Sequence, residues 1–271
     1  MLFNTIEFII FFISILSIFI IFKNRQFHHY FLLVASFLFF YWSNNYLITL
    51  LIFSILLDFY VGKEIFKARS IIHKKLLLIL SLVGNLGLLG FFKYSDFAIA
   101  QFNILGNYVN FTDSIPFLNL ALPIGISFYT FQTISYTVDI YRGQLKPSNS
   151  LREFALFVSF FPQIVAGPIL RAKDFLPQLH EKIEKLKISN LRLINLEKTS
   201  VRIGVAMMAL GFFKKMFFAD NIAPMVNEIF AMPVGLESFT IIWGTIGFGI
   251  QVYGDFSGYS DIAIGAALIL G

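Results

Sequence analysis

Six stretches of this chain contain no Asp, Glu, Lys or Arg: residues 8–22, 26–57, 76–92, 114–138, 154–170 and 238–254. A helix crossing hydrocarbon needs about 20 mostly apolar residues at about 1.5 Å rise each, and it pairs its own backbone polar groups. Runs of this kind leave little choice besides membrane-spanning helices. Composition agrees, with 57% hydrophobic and 14% charged residues where a soluble domain has roughly 45–50% and roughly 25%. A disordered chain, a collagen and an ordinary soluble enzyme are excluded. The expected fold class is all-α, a polytopic transmembrane helical bundle with re-entrant and interfacial helices.

The 21 Lys+Arg against 16 Asp+Glu give a net charge of +5. These basic residues flank the apolar runs, so they report membrane topology and do not point to nucleic acid. The chain has no cysteine, which excludes disulfides, thiol catalysis and Cys-based zinc or iron–sulfur sites. Met1–Phe22 has no basic n-region and carries Glu7, so it reads as a first crossing and not as a cleavable signal.

Lys23, Arg25, His28 and His29 place residues 23–29 in the cytoplasm and the N-terminus outside. The basic stretch Gly62–Lys75 is expected on the same side, so the apolar run between them crosses an even number of times. Ser43-Asn44-Asn45 is its one polar break, which predicts a hairpin with arms of about 15 residues, or about 23 Å, against a core of about 30 Å. The bilayer would be thinned there, or the hairpin would enter only partway. Leu76–Phe92 then crosses outward. The Asn-rich stretch 93–120 reads as an external loop with an interfacial helix, and Leu122–Val138 returns inward to Arg142, Lys146 and Arg152.

Residues 171–202 hold eight basic and four acidic side chains and read as a basic cytoplasmic loop with amphipathic helices. Both flanks of 154–170 then lie on one side, and Pro162, Gly167 and Pro168 break its helix. A re-entrant element is therefore expected over 154–170, the alternative being one kinked crossing followed by a basic external loop. Ile203–Phe218 crosses outward with Lys214-Lys215 near its end. Residues 238–271 hold Gly244, Gly247, Gly249, Gly254, Gly258 and Gly265, which let helices approach closely. The chain stops at Gly271 without a polar tail. It is expected to be one membrane domain over 1–271, truncated at its C-terminus.

Ionisable groups within apolar runs are costly, so each calls for a reason. Asp58 is expected to pair with Lys63, and Asp139 with Arg142 as a local anchor. Lys214 and Lys215 can snorkel to the interface. Asp255 and Asp261 stand apart, inside the dense polar insert Tyr253–Asp261. On a helix Asp255 shares a face with Tyr259, and Ser257 with Asp261, so the insert points to a hydrated cavity or to a structural hydrogen-bond network. His28, His29, His73 and His180 lie outside any apolar environment that would tune a base. No Walker loop, Rossmann glycine fingerprint or His-Glu-x-x-His motif is present.

Several segments resemble the membrane-bound O-acyltransferases (MBOAT), in the branch of the alginate O-acetyltransferase membrane subunit. They are residues 85–94 (Asn85 to Tyr94), Leu122–Gln132 running on through Val138–Gly143, Phe161–Arg171, Phe212–Lys215, and Tyr253–Asp261 followed by Ile262–Gly265. The D-alanyl transfer protein of teichoic acid is a poorer match around Pro162–Pro168. The resemblance implies a funnel of many helices in a bacterial inner (plasma) membrane. There an acyl group, from acetyl-CoA or a similar donor, passes to an alginate-like polysaccharide outside. A periplasmic acetyltransferase protein would assist, with no bound cofactor and no metal.

Carried onto this chain, the resemblance makes Asp255, Tyr259, Ser260, Asp261, Gln163 and Gln132 candidate cavity-lining residues. It makes Pro162, Gly167, Pro168, Arg171, Lys214 and Lys215 structural members of the motifs. The family's catalytic histidine sits in an Arg-Trp-His-x-Ser-Leu-like motif after the Tyr253–Gly271 region, and no histidine here matches it. The catalytic residue is therefore unassigned, and residues 1–271 alone are expected to be inactive. The rivals are a non-catalytic scaffold and an ion-coupled transporter. Against the transporter, the broken segments 122–138 and 154–170 are adjacent and form no inverted repeat.

Overall fold

The computed structural model describes residues 3–22, 25–108, 114–164, 167, 170–188, 198–231 and 235–271. Every regular element among them is helical, as expected: α1 Ile6–Ile21, α2 Arg25–Asn44, α3 Ile48–Lys67, α4 Ile71–Tyr108, α5 Ile126–Tyr141, α6 Leu151–Ser159, α7 Phe161–Ile164, α8 Ala172–Ile188, α9 Lys198–Phe212, α10 Asp220–Ala231 and α11 Ser238–Leu270. A short 3₁₀ turn, Asn45–Leu47, separates α2 from α3, and a π-helix, Phe213–Ala219, joins α9 to α10. Two stretches, Phe27–Lys67 and Ile71–Gly106, are long and apolar enough to cross a membrane, and α1 is a shorter apolar helix.

The break between α2 and α3 falls at the expected asparagines. Asn45 takes φ 50°, a left-handed conformation that Asn tolerates better than most residues. The flanking helices are longer than the charge-free arms, with 20 residues each, or about 30 Å. A helix ends where its backbone bonding ends, and α3 runs on through Asp58, Lys63 and Glu64 to Lys67. Likewise α4 continues as one helix of 38 residues, about 57 Å long, and absorbs the stretch where a separate interfacial helix was expected.

Two compact units form, one from Met1–Ser43, Ser159–Ile169 and Leu179–Gly271, the other from Asn44–Val158 and Leu170–Gln178. In the second unit α3, α4 and α5 pack together, with Tyr136 and Phe154 rings 4.3 Å apart in the interior. The extended stretch leading to α5 gets backbone partners from side chains. Asn103 bonds both the N–H and the C=O of Ile115 at 2.9 Å. Asp96 accepts from the N–H groups of Leu118 and Asn119 at 2.8 and 3.1 Å. Asn44 bonds Ile124 in the same two-handed way, at 2.6 and 3.2 Å.

In the first unit Phe3, Phe8, Phe39 and Phe161 form an aromatic core. The helix break expected in 154–170 is present: α6 stops at Ser159, Phe160 is non-helical, and α7 is one turn. Pro162 stands in the first turn of α7, where its missing N–H has no helical partner to lose. The Phe161 N–H donates to Ser36 Oγ at 3.3 Å. A Cβ on Gly167 would lie 2.7 Å from Gln163 Cα, so this turn requires glycine. Pro168 lies outside the described residues.

Candidate functional site

In the first unit α11 lies against the continuous rod formed by α9, the π-helix and α10. Glycines set this packing. A Cβ on Gly211 would fall 2.5 Å from Gly258 O, and one on Gly265 would fall 2.5 Å from Gly204 O. Only glycine lets the two backbones come so close, and that proximity lays the π-helix along the Tyr253–Asp261 insert. The π-helix leaves carbonyls without their usual i+4 donors, and the Asn221 amide supplies substitutes to Met216 O and Phe217 O at 3.3 and 2.7 Å.

This geometry carries both lysines into the polar insert. Lys214 donates to Asp261 Oδ2 at 2.6 Å and to Ser257 Oγ at 2.9 Å. Lys215 donates to Asp220 at 2.6 Å and also to Asp255, and its ammonium lies 5.7 Å from the centre of the Tyr259 ring. The two faces of α11 expected from helical spacing, Asp255 with Tyr259 and Ser257 with Asp261, are thus each served by one lysine. The two lysine side chains are 23% and 13% exposed and ion-paired. Among the described residues three carboxylates face two ammoniums, a formal charge of −1. Ser260 points elsewhere, its Oγ buried without a partner among the described residues, as is Gln251 Oε1 one turn before Asp255.

Chemically, an ammonium held beside hydroxyl and carboxylate groups can polarise a carbonyl and orient an incoming hydroxyl. No histidine belongs to the cluster among the described residues. His28, fully buried, instead bonds the Phe22 carbonyl.

The second unit holds its own polar group, which sequence reasoning misjudged. The expected Asp58–Lys63 ion pair does not form, because Lys63 sits over the Phe59 ring at 4.1 Å. Asp58 is fully buried and lies 2.5 Å from Ser81 Oγ and 2.8 Å from the Asn85 amide nitrogen. Ser81 in turn lies 3.1 Å from Thr137 Oγ1, so one carboxyl group ties α3, α4 and α5 together. The expected Asp139–Arg142 anchor is also missing. Asp139 is buried, with Oδ2 lacking a hydrogen-bond partner among the described residues.

Of the remaining motif residues, Gln132 donates to Phe157 O at 2.7 Å, filling a carbonyl that the helix break would leave bare. Gln163 is buried, and its Oε1 has no partner among the described residues. Arg171 is exposed at the start of α8, where its carbonyl accepts from Asp174 and Phe175.

Residues 141–271 match the family model of MBOAT, the membrane-bound O-acyltransferase family. The chain is 35% identical over 244 residues to a peptidoglycan O-acetyltransferase of Helicobacter pylori, covering 81% of this chain and 44% of that protein. It is 38% identical over 198 residues to a "probable alginate O-acetylase AlgI" of Pseudomonas aeruginosa, covering 72% of this chain and 35% of that protein. A teichoic acid D-alanyltransferase of Bacillus subtilis is 27% identical over 157 residues, covering 56% and 36%. The chain therefore spans less than half the length of each of these relatives.

Proposed function

Because the chain belongs to the membrane-bound O-acyltransferase family, we propose that it takes part in O-acetylation of an extracytoplasmic polysaccharide. The observation that carries this is the family match over 141–271, a stretch that contains the Lys–Asp cluster. Two relatives named for O-acetylation of peptidoglycan and of alginate support the substrate class. With acetyl-CoA or a similar thioester as donor, the acyl C–S bond breaks and a C–O ester bond forms, and the hydroxyl proton ends on the sulfur. Lys214 would polarise the acyl carbonyl, and Asp261 would accept from the incoming hydroxyl. The histidine implied by the family resemblance would act as its base. Deleting the gene should lower the O-acetyl content of the cell's extracytoplasmic polysaccharide, and restoring it should bring the ester back. Unchanged ester content after deletion contradicts the proposal.

The same reading makes the protein a multi-pass component of a bacterial inner membrane, working with a periplasmic acetyltransferase. Residues 26–57 begin and end on the cytoplasmic side, and 154–170 re-enters from that side. Lipid covers the outward apolar faces, and 171–202 stays cytoplasmic. Since the chain has no cysteine, single replacements Lys67→Cys, Gln144→Cys and Lys185→Cys should react with a membrane-impermeant thiol reagent only from the cytoplasm. Labelling of position 185 from outside would make 154–170 a full crossing.

A further inference from the structure

Tyr259 is held from behind by the beginning of the chain. Its hydroxyl donates to Asn4 Oδ1 at 3.2 Å, and its ring packs against Phe3 with centres 5.6 Å apart. Phe3 is itself immobilised: it is fully buried, 4.8 Å from Phe8 and 5.9 Å from Phe39. A tyrosine hydroxyl lies on the axis about which the ring turns. The bond to Asn4 therefore fixes where the ring sits, and contact with Phe3 limits how it tilts. Tilt matters, since an aromatic face attracts a cation and its edge repels one. The ammonium above this ring is that of Lys215, on a flexible four-carbon stem and held between Asp220 and Asp255.

We propose that Asn4 is a positioning residue for Lys215, acting through Tyr259. It holds the phenol so that the ring closes the remaining side of the ammonium and keeps Lys215 against its two carboxylates. The functional weight of this arrangement rests on the reading that the Lys–Asp cluster serves acyl transfer, but the geometric role can be measured without any transfer assay.

The test is competitive amine labelling of the detergent-solubilised, full-length protein, with the rate at Lys215 read against Lys214 in the same molecule. In Asn4→Ala the Lys215 rate should rise about fivefold, the factor expected for losing one hydrogen bond's net contribution. Tyr259→Phe should match it, the double variant should add nothing further, and Asn4→Asp, which keeps the acceptor oxygen, should restore slow labelling. A wild-type Lys215 rate in folded Asn4→Ala and Tyr259→Phe overturns the proposal. If Asn4→Ala does not fold, Tyr259→Phe, which keeps the ring packing, decides it alone. Full transfer activity in Lys215→Gln would instead remove the functional reading of the cluster and leave the labelling result standing.

Discussion

Replacing Asp58 with leucine is expected to cost roughly 2–6 kcal/mol of stability, about 1–3 for a buried donor losing its acceptor and about 1–3 for a larger side chain in a closed site. Ser81 and Asn85 both turn toward this carboxyl in a site closed to solvent, and leucine offers them nothing. Asp58→Asn should be close to neutral. Its carbonyl can accept from Asn85, its amide can donate to Ser81, and Ser81 can pass its own hydrogen to Thr137, 3.1 Å away. No cation in the group depends on the charge. Thermal unfolding in detergent would show Asp58→Leu far below wild type and Asp58→Asn near it. Equal stability of Asp58→Leu and wild type would mean the three-helix link is unimportant.

Asp58 also shows where sequence reasoning stops. Lys63 is five residues away and invited a pairing, whereas the real partners lie 23 and 27 residues on, visible only once α3 and α4 are packed. Local features were legible. The paired asparagines marked the end of α2, and Pro162 and Gly167 marked the broken segment. Glycines at 258 and 265 marked the close helix approach, and four-residue spacing sorted the α11 insert into its two faces. Absence of charge, by contrast, was a poor ruler for helix length, because α3 and α4 continue through charged residues that reach partners or solvent. The π-helix has no signature in the local sequence, and without it the spacing of Lys214 and Lys215 points to the interface. Their partners on α11 lie 40 or more residues away. Asn4 carries no signal in sequence at all, since its partner Tyr259 is 255 positions distant.

Asp261→Asn in the full-length protein separates a cluster that works in acyl transfer from one that serves only in packing. Asparagine keeps the shape and still offers a carbonyl oxygen to Lys214, which also retains Ser257. The lost ion pair is only partly buried, so its share of stability is discounted toward the roughly 0–1 kcal/mol of surface pairs. Electrostatic positioning at a reacting group is worth far more, on the order of a hundredfold in rate for one removed contact in favourable cases. Measured as acetyl transfer per folded molecule, Asp261→Asn should fall at least about tenfold while folded yield and unfolding temperature stay near wild type. If folded yield and total activity drop by the same factor, leaving transfer per folded molecule unchanged, the cluster is a helix-packing network with no part in acyl transfer.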